Sequence, residues 1–275
     1  MAGAADTGTA FPDAETVQAV VDLATRAPSS HNSQPWHWWA DPRGLQLYAD
    51  PARHRPCSDP DRRDMVLSCG AALHHCTVAL AAMGWRSTVH RLPDPTDRDH
   101  LAAIEVSMQA PSELDVTLAA AIPRRRTDRR TYSSWPVVWG DIALMGARAA
   151  RAGVMLRQIE QIPGVKETAV VVALGTERDD ELARLRAGEA TSLVLLSATA
   201  MGMASCPVTE PLEVPETREA VRTDVFGGNA HPQMLMRLGW AAADADPLPA
   251  TPRRPLPEVF TPAPVVPVQL AHEVQ

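Results

Sequence analysis

The chain has 275 residues, 45% hydrophobic and 21% charged, which is enough to bury a core without disulfides or a structural metal and too apolar for wholesale disorder. Thirty-three Asp and Glu outweigh 26 Lys and Arg, a formal charge of −7, and this argues against the basic face that nucleic-acid binding needs. No run approaches the roughly 20 consecutive apolar residues of a bilayer span, and residues 1–16 lack a basic stretch followed by an apolar one; a cytoplasmic protein is expected. Cys57, Cys69, Cys76 and Cys206 show no C-x-x-C spacing and read as reduced, mostly buried thiols.

In chain order, an Ala-rich helical pattern at 13–27 leads into a polar loop bounded by prolines and then the strand-like run 45–50. A proline-rich and charged stretch at 49–64 precedes a second helical pattern at 65–84. Strand-like runs at 87–92 and 103–108 flank a polar segment. Further helical patterns at 141–152 and 181–203 enclose strand-like runs at 154–159 and 168–174. Helices and strands alternate irregularly, which predicts a mixed α and β fold. The last segment, 261–275, has three prolines in its first seven residues and is expected to be an extended tail or an edge strand.

The chain also repeats itself. A shift of 118 residues lays Leu67, Gly70, Ala72, Ala82, Met83 and Gly84 on Leu185, Gly188, Ala190, Ala200, Met201 and Gly202. A shift of 125 lays Ala24, Arg26 and Ala27 on Ala149, Arg151 and Ala152, and one loop insertion reconciles the two shifts. Chance matching of Ala-rich helices is the competing explanation. If the repeat is real, the chain divides into residues 1–115 and 116–275, and the halves are unequal. A polar loop follows the first helix only, and an arginine run opens the second half only. Two half-sites that have each lost a different part assemble one site.

The polar loop runs from Arg26 to Trp39. Ser29, Ser30, Asn32 and Gln34 lie between Pro28 and Pro35, which deny the segment a helix. Such a loop beside three tryptophans suits a flat heteroaromatic ligand, although the residues alone read more readily as a turn into a Trp-rich edge strand. The run Arg124–Arg130 sets five arginines and Thr127 in seven residues of an acidic chain. Either it is a solvated charge run or it grips a phosphate, whose oxygens match arginine forks. Arg253 and Arg254 form a second basic pair. His74, His75 and Cys76 are adjacent, so on a helix they diverge and cannot share a metal. There is no G-x-G-x-x-G and no G-x-S-x-G, so neither dinucleotide-first binding nor a hydrolase elbow is supported.

The string APSSHNSQPWHW resembles the flavin-binding loop of the nitroreductase superfamily, and RRRTDRR resembles its basic phosphate-binding segment. ASCPVTEPLE is similar to the stretch that passes the flavin N5, and PRRPLPEV to the C-terminal phosphate clamp. GGNAHPQMLMRLGW and RAGEATSLVLLSATAMGM further resemble the Acg branch, in which two nitroreductase-like halves are fused. The similarity extends from about Val17 to Val259. It implies an α+β nitroreductase-like fold whose tandem halves form an internal pseudo-dimer around one FMN. By the resemblance, Ser29, Ser30 and Asn32, with Pro28 and Gln34 beside them, reach the flavin from one half. Arg125, Arg126, Thr127 and Arg129, with Arg253 or Arg254, match the phosphate and ribityl contacts. Thr209 and Glu210 match the residues whose backbone faces N5.

Acg-type proteins carry a much longer connection between the strand near Val154 and the helix opening at Glu181, so a lid over the flavin is expected to be short or missing here. Many nitroreductases have Glu-Gly opposite N5, whereas this chain reads Thr209-Glu210-Pro211; proline has no N–H, leaving Thr209 or Glu210 as donor. The resulting expectation is an FMN-dependent oxidoreductase with NAD(P)H as a transient hydride donor, no catalytic side chain and no metal. The site is complete within one chain, and a further homodimer is compatible with it. The competing reading is a protein that stores or sequesters FMN without turnover.

Overall fold

A computed structural model describes residues 11–41, 44–159 and 169–262. Helix α1 (Ala14–Ala24) starts at Asp13, whose carboxylate accepts the Thr16 N–H at 2.7 Å. It buries Val17, Val20, Val21 and Ala24, one helical face. Strands β1 (Trp36–Asp41) and β2 (Gly44–Ala49) pair antiparallel, with Trp36, Trp38 and Ala40 turned inward by the period of two. Helix α2 (Arg63–Ala82) and strands β3 (Trp85–Arg91) and β4 (His100–Met108) complete a unit with strand order β3-β4-β2-β1.

The chain then repeats this plan. Helix α3 (Glu113–Ala121), closed by a capping box between Ser112 and Asp115, packs against both α2 and α5 (Glu181–Ala200), so the expected boundary at 115/116 falls within it. Helix α4 (Trp139–Ala150), β5 (Val154–Ile159), β6 (Val170–Thr176), α5, β7 (Ala204–Val208) and β8 (His231–Gly239) follow. Their strand order is β7-β8-β6-β5, that of the first sheet element for element. Short α6 (Glu210–Glu213) and α7 (Pro215–Phe226) join β7 to β8.

The halves meet along α2 and α5, and the contact is self-complementary. A methyl group on Gly70 would collide with the carbonyl oxygen of Leu185, and one on Gly188 with that of Leu67. Both pairs are related by the shift of 118, as a two-fold axis between equivalent helices requires. His74 and Ser192 are mates under the same shift and bond each other at 2.8 Å, which sets them on that axis. Gly84 and Gly202 end the two helices with φ of +88° and +84°. The chance explanation of the repeat is thereby removed.

Helix α2 meets the length and composition of a membrane span, but 78% of its apolar window is buried; it is the central core helix, apolar all round for that reason. Cys69, Cys76 and Cys206 are buried free thiols and Cys57 is exposed. The chain finally crosses back over the first half through α8 (Leu256–Val259), and β9 (Phe260–Thr261) adds to β1 in parallel as a fifth strand. The expected extended tail lies outside the described residues from position 263 onward.

Candidate functional site

A cleft of about 260 Å³ opens between the halves. One wall is the turn Pro28–Asn32, where the Ser29 hydroxyl accepts the Gln34 N–H at 3.0 Å and the Ser30 N–H donates to Ser68 Oγ at 3.2 Å. His31, Asn32 and Gln34 have φ of +49°, +54° and +49°. Three left-handed non-glycine residues in four positions are costly, and a site that must present a fixed set of polar groups is where such strain persists. The floor is one face of α2, namely Asp64, Leu67, Ser68 and Ala71 at the spacing i, i+3, i+4, i+7, with Thr191 of α5 beside it.

The opposite wall comes from the arginine run. Thr127 bridges in parallel to Ser205, and the Asp128 N–H donates to the Ser205 carbonyl at 2.9 Å. This extended pairing sorts the run by alternate residues. Arg125, Thr127 and Arg129 face the cleft. Arg124 bonds the Ala120 carbonyl, Arg126 the carbonyls of Pro123, Arg125 and Leu248, and Arg130 pairs with Asp128. Pro207, Thr209, Glu210 and Met234 close the far end.

Arg125 is 5% exposed and has no carboxylate partner among the described residues; one Nη reaches Thr127 Oγ1 at 3.4 Å. Burial, with Arg253 and Arg126 nearby, pushes its pKa down to about 10. Arg129, which is exposed, lines the same cleft and makes no hydrogen bond or ion pair among the described residues. A buried, unpaired guanidinium is a strong demand for an anion.

Other expected contacts are spent on structure. Arg253 lines the cleft, but its Nε donates to the Thr25 carbonyl, and its Nη groups to the carbonyls of Arg26, Ala27, Thr251 and Pro252 and to Asn32 Oδ1. It closes the end of α1 and leaves no N–H over for a ligand. Arg254 pairs with Asp50 and Glu258, away from the cleft. Gln34 is buried, accepting the Arg254 N–H at 2.8 Å and donating to the Asn32 carbonyl. Arg126 also lies off the lining. In this structure the basic C-terminal pair is a strap that holds the loop, with Arg253 also in the cleft lining. Sequence reading missed Asp64, Leu67, Ser68, Ala71, Thr191 and Met234; a carboxylate and a hydroxyl on one face of an otherwise apolar helix were the available signal.

The pseudo-symmetric position of the cleft is filled. Under the shift of 118, Ala71 and Thr209 correspond to Glu189 and Arg91. These form a bidentate pair at 2.7 and 2.8 Å, so an ion pair stands where the cleft has open space.

No family model matches the chain. It is 49% identical to the Mycobacterium tuberculosis protein named putative NAD(P)H nitroreductase Rv3131, with 94% of each chain covered. With the protein of the same organism named putative NAD(P)H nitroreductase acg it shares 32% identity over 90% of this chain and 95% of the other. The alignment with Rv3131 runs over 324 positions, more than the 275 residues present here, so that relative carries segments this chain lacks. A nitroreductase structure from Anabaena variabilis, named as putative, covers 85% of this chain and 90% of its own with a TM-score of 0.51 at 8% identity, a likeness of fold. These relatives and the duplicated fold define one class: the chain belongs to the nitroreductase superfamily, in its Acg-like group.

Proposed function

We propose that the cleft binds one FMN per chain and that the protein is an FMN-dependent oxidoreductase reduced by NAD(P)H. The observation that carries this reading is Arg125, a sealed cation without a carboxylate, in a wall that also presents Arg129 and Thr127. That set fits a phosphate monoester, and the strained polar turn opposite fits the edge of a flat heterocycle. Bound FMN supplies the hydride chemistry, so no side chain here needs to carry it.

The residues hold, orient and screen. Arg125, Arg129 and Thr127 take the phosphate, while Ser29, Ser30 and Asn32 present neutral hydrogen-bonding groups from the other half. Thr209 and Glu210 border the ring. Because Glu210 opens α6, its N–H has no acceptor within that helix and is available to a ligand, which Pro211 cannot be. Pro28, Gln34, Arg126, Arg253 and Arg254 keep these walls in place. The division into halves 1–115 and 116–275 describes the two sheets, with the strap exchanged between them.

Reconstituted with FMN, the yellow protein should be bleached by anaerobic NADH or NADPH and recover colour in air. A protein that stays yellow with both would retain FMN binding and take the storage role instead. Flavin absorbance against protein concentration should give one FMN per chain, because the Arg91–Glu189 pair fills the second position. A ratio of two would overturn the unequal-halves reading.

A further inference from the structure

Helices α1 and α4 hold equivalent places under the shift of 125, each laid on the long helix of its own half. Their inner faces agree: Val17, Val20 and Ala24 are buried in α1, and their mates Ile142, Met145 and Ala149 are buried in α4. The outer faces do not. Glu15, Gln18, Ala19 and Asp22 are exposed on α1, the ordinary polar side of a surface helix, whereas their equally exposed mates on α4 are Gly140, Ala143, Leu144 and Ala147. Since the fold is the same at both places, nothing in it requires an apolar outer face on α4.

Trp135, Val138 and Trp139 extend this face at the start of α4. They are 72%, 61% and 68% exposed, and Leu144 is 45% exposed. Four of the ten large hydrophobic side chains exposed among the described residues therefore fall within positions 135–144. The segment that carries them is held and not frayed. The Ser133 N–H donates to the Trp240 carbonyl at 2.8 Å, and the Trp240 Nε1–H donates to the Pro136 carbonyl at 3.2 Å. At these exposures the four side chains present roughly 500 Å² of surface, the upper range for the largest apolar patch of a monomer.

We propose that a second copy of this chain covers this face, α4 packing antiparallel on its own equivalent across a two-fold axis. Such a contact uses the patch twice and buries roughly 1,000 Å² in all, about the least that a specific interface needs. Gly140, Ala143 and Ala147 let the two helices approach closely, with Leu144 of each copy entering the hollow left by the small residues of the other. Charge agrees with the antiparallel sense. Asp141, in the first turn, makes no ion pair among the described residues, and Arg148, two turns further on the same flank, donates from one Nη to Ser197 Oγ at 3.2 Å. Antiparallel pairing brings Asp141 of each copy to Arg148 of the other and opposes the two helix dipoles. No residue of α4 lines the cleft, so this contact leaves the cleft as each chain builds it.

Sedimentation equilibrium of the full chain should give twice the 29.7 kDa of one chain, with a dissociation constant of roughly 1–10 µM, in keeping with the small area. Leu144→Glu, which buries an unpaired charge in the contact, should weaken the dimer at least about 100-fold. Ala19→Glu, the same change at the mated position of α1, should leave it unchanged. Circular dichroism should be the same for both variants, because both positions are exposed in the single chain. Asp141→Arg should weaken the dimer about 10-fold and Arg148→Asp, added to it, should restore it, a rescue that only α4 against α4 allows. A monomer at about 100 µM would overturn the proposal and leave the face to another protein or to residues 263–275. A dimer that survives Leu144→Glu would overturn it as well, and a double reversal without rescue would overturn the antiparallel pairing.

Discussion

Arg125→Ala should weaken FMN about 10- to 100-fold, while riboflavin, which lacks the phosphate, changes by less than about threefold. A hydrogen bond to a charged group contributes roughly 1.5–3 kcal/mol, which is that range in affinity. The value should fall toward the upper end because Arg125 is buried and no carboxylate competes for it. Arg253→Ala should behave differently. Its donors are committed to the carbonyls that end α1 and to Asn32, so its loss should lower stability and weaken both ligands alike. Titration of each variant with FMN and riboflavin separates the two roles. Equal losses of FMN and riboflavin in Arg125→Ala would assign Arg125 to folding or to the ring, and the phosphate reading would be abandoned.

Gly70→Val and Gly188→Val should each destabilise the protein by about 3 kcal/mol or more, at or above the upper end of the roughly 1–3 kcal/mol typical of core overpacking. At both positions the obstructing atom is a backbone carbonyl oxygen of the facing helix, which cannot swing aside as a side chain can. The added carbon must therefore push α2 and α5 apart, and the cleft floor on α2 moves with them. Urea unfolding should show the shift in midpoint, with FMN affinity falling in parallel. Both replacements costing under about 1 kcal/mol would mean that the helices do not pack as closely as this structure has them.

Much of this architecture was legible in the residues. The repeat was carried by the small residues that permit close helix packing, since Gly70 and Gly188 can be nothing larger, and an identity forced by geometry survives where ordinary core positions drift. The polar turn was legible because Pro28 and Pro35 exclude regular structure around it. Strands β1, β7 and β8 were less so. The alternation in β1 is masked by aromatic residues at both inward and outward positions, and β8 is buried at most positions, so it shows no period of two. The assignment of Arg253 could not be read from composition. A basic pair between prolines looks the same whether it faces a phosphate or a row of carbonyls, and only the path of the strap tells which. The floor residues depended on the packing of α2 against α5, a long-range fact that no local spacing encodes.

In an unfused protein whose cofactor lies between two chains, dilution separates the chains and releases what they share. Here both walls belong to one polypeptide, and β9 with Arg253 and Arg254 ties the end of the second half onto the first. The concentration one half experiences of the other is then set by the covalent connection and not by the amount of protein present. Under the proposed one-FMN site, retention of the ligand would be a property of each molecule singly, independent of how many copies a cell holds.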